Sequence, residues 1–576
     1  MIDIIQNHVH LLHSDALRVH RSWGRNHFRG KRGQRTAGTS LRLSVPCVAG
    51  LYACLMLCLL SMPATAGATT YDVIRDCSAT GNGSTDDTPA INTCIGKLHT
   101  GDTLLFPAGT YKITSSLVID VANVTVDGSS NTATILAASS GNMLEFGNPS
   151  EFCIGCSLGP SVALAFTAGE LSPSFTSSSS LAVNPGDYVY IHQGGQDYST
   201  DSCVNGGSPP CQGHPTNCDV SGCRGEVLQV QSVSGNTIFV TTALHDTYDL
   251  SLNAAVVQKV QNPLAGITLQ NITLNGASVA STPLAFYGVM NSTVSGVTII
   301  GANDPSNSGS YTLLANVTYG LNLNNVTLTS TAANLAQLGI YEHGNLSINV
   351  MHISGTSGGA AFFSSGANDS VTNLTVDATG GQGRPFKTTA VRYSTFGSVT
   401  VENGTGNFNG ISLEYYSSHN KFDACTVTQN GSGVGNAGIN VFGNYNQYNT
   451  FNNCTVSGNG NIQFFVNNSD ALSLAQSSYN TISGGSFTGA TTFDQAVVGI
   501  QGGGAYIHDA TINGPGQSGI YLNTQATYAC VNNNTFPTNS FMNPNVAISA
   551  NAYHDLGSGN NFNNNNQGSL TPGTCP

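Results

Sequence analysis

Charge is scarce in this chain. Only 8% of its 576 residues are Asp, Glu, Lys or Arg, and just 17 are basic. Eight of those 17 (Arg18, Arg21, Arg25, Arg29, Lys31, Arg32, Arg35 and Arg42) fall in the first 66 positions, against two of the 30 acidic residues. Beyond residue 66, nine basic residues face 28 acidic ones, a formal charge near −19. That balance argues against nucleic acid or an anionic membrane as partner, since both require clustered cations. Helical periodicity is missing too: from 263 to 523 no segment carries a 3.6-residue apolar stripe, so helical repeats are excluded there.

The basic opening runs into an apolar stretch, Leu43 to Leu60, which closes at Ala64-Thr65-Ala66. Basic, then apolar, then Ala-x-Ala is the layout of an export signal, so residues 1–66 read as a leader. An uncleaved anchor is the other reading, because the apolar run approaches spanning length. Either way the rest of the chain is expected outside the cell or on its surface.

What the sequence has in abundance is a phrase. Asn271-Ile272-Thr273-Leu274 returns as Gly296-Val297-Thr298-Ile299 and Asn325-Val326-Thr327-Leu328, and then at His352, Thr375, Thr400, Thr426, Thr455, Ser486 and Thr511. The central positions are spaced 25, 29, 25, 23, 25, 26, 29, 31 and 25 residues apart. A period near 25 means a solenoid, whose units bury their apolar faces only by stacking. Each phrase alternates and is rich in β-branched residues, and the segments between are dense in Gly, Asn and Ser. The fold expected is all-β: a right-handed parallel β-helix rising by about 4.8 Å per coil. Asp86 or Asp87 and Pro89 predict a short capping helix with Ile91, Cys94, Ile95 and Leu98 inward. The rhythm breaks at 161–262, where Tyr188–Ile191, Glu226–Val233 and Thr237–Val240 predict a β-rich insertion with a turn at Ser234-Gly235-Asn236. The organisation is therefore a leader (1–66), a cap with first coils (67–160), an insertion (161–262), repeats (263–523) and a C-terminal cap or tail (524–576).

Of 15 cysteines, twelve lie beyond the leader. An even number in an exported chain predicts disulfides, with Cys77–Cys94, Cys153–Cys156 and Cys530–Cys575 as local pairs. Cys425 and Cys454 share one repeat position, as a bridge or as a reduced stack. Cys203, Cys211, Cys218 and Cys223 crowd one loop with His214, in a spacing that favours disulfides over zinc.

One segment resembles a known family. Tyr71-Asp72-Val73-Ile74, the run from Gly81 to Ile91, Phe106-Pro107-Ala108-Gly109-Thr110-Tyr111 and Val124-Thr125-Val126-Asp127-Gly128 are similar, in this order, to the entry segment of the pectate-lyase-like superfamily. That superfamily includes rhamnogalacturonases, polygalacturonases, pectate lyases, epimerase-like proteins and phage tailspikes. The resemblance implies a β-helix that binds or acts on polysaccharide. It does not choose a reaction. Polygalacturonase-like enzymes carry Asn-x-Asp, Asp-Asp, Gly-His-Gly and Arg-x-Lys on successive coils. Here no Gly-His-Gly exists, and Arg384-Pro385-Phe386-Lys387 has one residue too many.

The repeat itself acts as a ruler. Two residues after the central Thr, only Asp377 and Glu402 are acidic, which places two carboxylates on adjacent rungs. Such a pair suits acid–base chemistry or a Ca2+ ion. Between them lie Arg384, Lys387 and Arg392, three of the nine basic residues, suited to the carboxylates of a uronate polymer. Elimination would use Lys387 or Arg392 as base, with Asp377 and Glu402 on calcium. Glu414, Tyr415, His419 and Lys421 follow as substrate-binding candidates, and Tyr416, Tyr445 and Tyr448 cluster nearby. The function expected is a polysaccharide lyase or glycoside hydrolase acting on an acidic polysaccharide. The rivals are a non-catalytic carbohydrate-binding or adhesive surface protein and an anchored structural rod.

Overall fold

The structure, a computed structural model, describes residues 67–147, 158–194, 223–251, 254–277, 279–301, 311–330, 336–355, 359–380, 383–406, 409–431, 436–443, 445–467, 477–490, 496–501, 505–522, 529–537, 541, 546–550, 555–556 and 571–572. The expected leader, Cys153, Cys156, Cys575 and the loop around His214 lie outside the described residues. No helix among the described residues is long and apolar enough to cross a membrane.

The phrases are the rungs of a right-handed parallel β-helix. All ten central positions fall in one register: Thr273 pairs with Thr298, Thr298 with Thr327, and so on through His352, Thr375, Thr400, Thr426, Thr455, Ser486 and Thr511. Each coil gives a pair of short strands to a first sheet, then one strand to a second sheet, as with Ser370–Asp377 and Arg384–Arg392. The first residue of every phrase, from Asn271 to Asp509, has φ between 51° and 70°. That left-handed step splits the first-sheet strands. It explains the recurrence of Asn and Gly, which adopt it at least cost.

Apolar residues alternate inward. Phe396, Phe422 and Phe451 stack at 4.7 and 5.1 Å inside the solenoid, and all three are fully buried. Beside them runs a polar ladder. Asn420 Nδ2 donates to Asn449 Oδ1 at 3.1 Å, and Asn449 Nδ2 donates to Asn480 Oδ1 at 3.0 Å. The same oxygens accept backbone N–H groups, and Asn449 Nδ2 also satisfies the Ser417 carbonyl at 2.8 Å. Adjacent coils are bridged covalently by Cys425–Cys454, so the bridge rather than the reduced stack is found.

At the N-terminal end, helix α1 (Thr88–Ile95) buries Ile91 and Cys94 and is tied down by Cys77–Cys94. Asp86 accepts the Thr88 N–H at 3.0 Å, while Asp87 turns back to the Thr80 and Gly81 amides. Six strands between Val162 and Lys259 form a separate antiparallel sheet. They surround their own core of Val189, Ile191, Leu228, Val230, Ile238, Tyr248 and Val257. Ser234 pairs with Thr237, so the hairpin turn is Gly235-Asn236, one residue shorter than the sequence suggested. The coils close up around the insertion: Val126 pairs directly with Leu269, and Glu145 with Ala285.

The buried ladder carries a clear expectation. Asn449→Ala strands the Asn420 amide and the Ser417 carbonyl, and costs about 2–4 kcal/mol in denaturant unfolding. Exposed Asn349, bonded to Asn324, tolerates the same change within about 0.5 kcal/mol. Equal effects at the two positions would contradict this role.

Candidate functional site

The second sheet sets Gly359–Ala367, Arg384–Arg392, Ile411–Glu414 and Ala437–Phe442 side by side. Phe363, Phe386 and Leu413 turn into the core, so alternate residues face out. Two outward columns result. One reads Phe362, Lys387, Ser412, Asn440, Phe465, and the other Tyr341, Ser364, Thr389, Glu414, Phe442.

Glu414 is the hub of this face. Arg384 Nη1 lies 2.8 Å from Glu414 Oε1 and 3.0 Å from Oε2, and Lys387 Nζ lies 3.4 Å from Oε2. The carboxylate side chain is only 7% exposed, so two cations compensate its burial. Lys387 also sits over the Phe362 ring at 5.7 Å. Tyr415 leans against Phe442 and covers Gly443. Around this hub, Ser364 Oγ, Thr389 Oγ1 and Asn440 Oδ1 are buried with no hydrogen-bond partner among the described residues.

The insertion closes one end of the face. Its strand Cys223–Ser234 lies against four successive second-sheet strands, from Tyr311–Tyr319 to Arg384–Arg392. Gly344 is required there, because a Cβ would stand 2.3 Å from the Val227 carbonyl. Arg392, at the far end of its strand from Arg384, meets Asp246 of the insertion at 3.0 Å. Arg224 approaches the same carboxylate at 3.4 Å, donates to Gln193 Oε1 and lies over the Tyr416 ring. Glu226 accepts from the His245 and Tyr248 side chains at 2.7 and 3.2 Å. At the edge of this seam Glu170 lies 3.8 Å from His419. Burial, reinforced by Asp246, pushes the Glu170 carboxyl up, and burial with the Arg392 charge pushes His419 down.

The residues expected to form one centre are therefore divided. Arg384, Lys387, Glu414 and Tyr415 come together on the second sheet. Arg392 clamps the insertion, and an arginine committed to a buried carboxylate does not act as a base. His419 lies at the seam, stacked between Tyr393 and Tyr448. Asp377 and Glu402 do pair in register, but on the first sheet, where Lys421 also lies, bonded to Asp423 at 2.9 Å. Three donors converge on Asp377 Oδ1: the Thr379 amide and hydroxyl, and Asn403 Nδ2. Burial raises its pKa, and these bonds outweigh that and hold it below the ordinary value. An oxygen already accepting three hydrogens is a poor calcium ligand. Among the described residues no group of three or more His, Cys, Asp or Glu is placed to hold a metal.

Glu170, Glu226, His245 and Asp246 were not singled out from the sequence. The one available signal was arithmetic: three cations in nine residues of an acidic chain need partners, and the insertion supplies one of them.

Two outcomes test this division. Arg392→Met leaves Asp246 under-compensated and costs about 3 kcal/mol in thermal or denaturant unfolding, with partial recovery in Arg392→Met/Asp246→Asn. For Asp377, whose folded pKa is depressed, stabilisation is present above its unfolded pKa of about 3.9 and is lost as pH falls through the folded value. Asp377→Ala should therefore lower stability at neutral pH and flatten the acid limb. An unchanged acid limb would contradict the bonding described.

Residues 72–153 match the family described as rhamnogalacturonase A/epimerase, pectate lyase-like. No curated protein matches the chain in sequence. Among solved structures, the tailspike protein gp49 from Pseudomonas phage LKA1 is 15% identical, over 88% of this chain and 79% of that one, with a TM-score of 0.49. The Pseudomonas phage phi297 tailspike gp61 is 12% identical over 84% and 83%, with a TM-score of 0.44. The gp54 tailspike of Acinetobacter baumannii bacteriophage AP22 is 13% identical over 82% and 78%, with a TM-score of 0.39. The family match is confined to residues 72–153, and behind that segment the ten phrases stack in register as a right-handed parallel β-helix.

Proposed function

We propose that this protein is exported and acts on a uronate-containing polysaccharide, at the outer face of the second sheet around Arg384, Lys387 and Glu414. The observation that carries this reading is a compensated carboxylate surrounded by unsatisfied polar atoms. Glu414 occupies both cations, while Ser364, Thr389 and Asn440 bury polar atoms with no partner among the described residues. Each such atom costs about 1–3 kcal/mol while it stays covered, and a sugar hydroxyl would satisfy it once the groups covering it move aside. A uronate carboxylate can replace Glu414 on Arg384 with the same fork geometry. The two disulfides Cys77–Cys94 and Cys425–Cys454 among the described residues fit an oxidising compartment.

The chemistry favoured is elimination. The incoming carboxylate, held by Arg384 and Lys387, acidifies the neighbouring C5–H, and Glu414, released from Arg384, takes that proton. The C5–H electrons form the C4=C5 bond as the C4–O bond breaks, and Glu414 hands the proton it has taken to the departing O4, which restores its carboxylate. Hydrolysis needs two carboxyl groups about 5–9.5 Å apart. Within the second sheet the nearest acid among the described residues is Glu342, three coils away, roughly 14 Å at this spacing. The second reading is a carbohydrate-binding surface without turnover, favoured by the same neutralisation of Glu414 by two cations.

Incubation with polygalacturonate and other uronate polymers separates these readings. Ultraviolet absorbance from unsaturated ends marks elimination, reducing ends without it mark hydrolysis, and binding without product marks the second reading. Arg384→Ala and Glu414→Gln should each lower kcat/KM by about 100-fold, the scale for losing one group that stabilises transition-state charge. Wild-type turnover in both variants would remove this site.

A further inference from the structure

After each second-sheet strand the chain enters the first sheet through one residue with positive φ. In the earlier coils that residue is Gly266, Asn291, Gly320, Asn345 or Asn368. From the coil that ends at Arg392 it changes to Tyr393, His419, Tyr448 and Tyr479, with φ of 51°, 56°, 56° and 57°. A bulky residue in this conformation is a genuine outlier, and such strain collects at ligand-binding sites. The change comes at strand Arg384–Arg392, the last of the four second-sheet strands that Cys223–Ser234 lies against, and on the next coil the insertion still reaches His419 through Glu170 at 3.8 Å. His245 of the insertion leans on Tyr393, 5.7 Å between centroids.

The rings form a ladder. Tyr393 and His419 lie 4.5 Å apart at 3°, His419 and Tyr448 4.9 Å at 27°, and Tyr448 and Tyr479 5.1 Å at 8°. Coil cohesion does not account for them, because the very next residues, Asn420, Asn449 and Asn480, already join the same coils through the buried amide ladder. Burial does not account for them either: Tyr448 is 47% exposed and Tyr479 50%. A second stacked pair, Tyr416 and Tyr445 at 4.7 Å, also has positive φ at both residues and lies between this ladder and the strand ends at Glu414 and Phe442.

We infer that the Tyr393–His419–Tyr448–Tyr479 ladder is a saccharide-binding rail, on which a polysaccharide bound at Arg384 and Glu414 extends along the solenoid axis toward the C-terminal coils. One ring per coil presents an aromatic edge to each successive pyranose, and Tyr479, the last ring of the ladder among the described residues, offers its outer face for stacking. The inference rests on the polysaccharide reading above, yet it makes a demand of its own. Affinity must depend on oligosaccharide length through residues that carry no charge.

The test is calorimetric titration of wild type, Tyr448→Ala, Tyr479→Ala, Tyr479→Phe and Arg384→Ala. The probes are short and long uronate oligosaccharides and a panel of neutral polysaccharides, with thermal melts as folding controls. Tyr448→Ala and Tyr479→Ala should weaken binding of the long oligosaccharides about 3- to 10-fold and leave the short ones unchanged. Tyr479→Phe should stay near wild type, and Arg384→Ala should weaken both lengths. If wild type ignores uronates but binds a neutral polysaccharide in a tyrosine-dependent way, the uronate reading falls and the rail stands. If the Ala variants bind every probe as wild type does, with or without a lower melting temperature, the ladder is only a structural stack and the rail is overturned. Absence of binding to any polysaccharide overturns both readings.

Discussion

The interstrand hydrogen bond, repeating at about 4.8 Å, is the constraint on which everything else in this molecule depends. A single coil encloses too little apolar surface to hold itself, so each coil borrows its floor from the next. Register then becomes obligatory, because a one-residue slip would turn Val376 and Val401 outward and Asp377 and Glu402 inward. The devices that recur along the chain serve that register: the left-handed step before each phrase, the phenylalanine stack, the Asn420–Asn449–Asn480 ladder and the Cys425–Cys454 bridge.

Once coils are stacked, the second sheet offers a long outer face, and the chain uses its two stretches differently. The earlier stretch holds the insertion, through Gly344 beneath Val227 and the buried Arg392–Asp246 pair. Buried pairs of this kind add little net stability while being costly to break, so they serve as a latch. Beyond the latch the face carries Glu414 with its two cations, and beside it the strained aromatic turns. In a chain near −19, three of the nine basic residues beyond position 66 sit on one strand, and each is met by a carboxylate: Arg384 and Lys387 by Glu414, Arg392 by Asp246.

The fold was legible because its signals are local and repeated. Alternation and a β-branched centre mark most strands, and in six of the ten phrases an Asn or Gly two residues before the centre marks the left-handed step. Stacking arithmetic then correctly made neighbours of Asp377 and Glu402 from number alone. What it could not supply was the sheet. The turn between Asp377 and Arg384 carries the chain to another face, and nothing in the composition of that turn announces it. Arg392 was misjudged for a related reason: its partner, Asp246, is far away in sequence and belongs to a different sheet, and no periodicity connects them. The aromatic turns could have been noticed, since Tyr393, His419, Tyr448 and Tyr479 occupy one repeat position. Their positive φ, which gives them meaning, is a backbone fact.

The central claim is that a uronate carboxylate takes the place of Glu414 on Arg384. A crystal structure of Glu414→Gln soaked with a uronate oligosaccharide tests it most directly. The account predicts a sugar carboxylate within hydrogen-bond distance of the Arg384 guanidinium, on the outer face of the second sheet. A saccharide seated instead on the first sheet at Asp377 and Glu402, or an Arg384 left without sugar while the chain binds elsewhere, would contradict it.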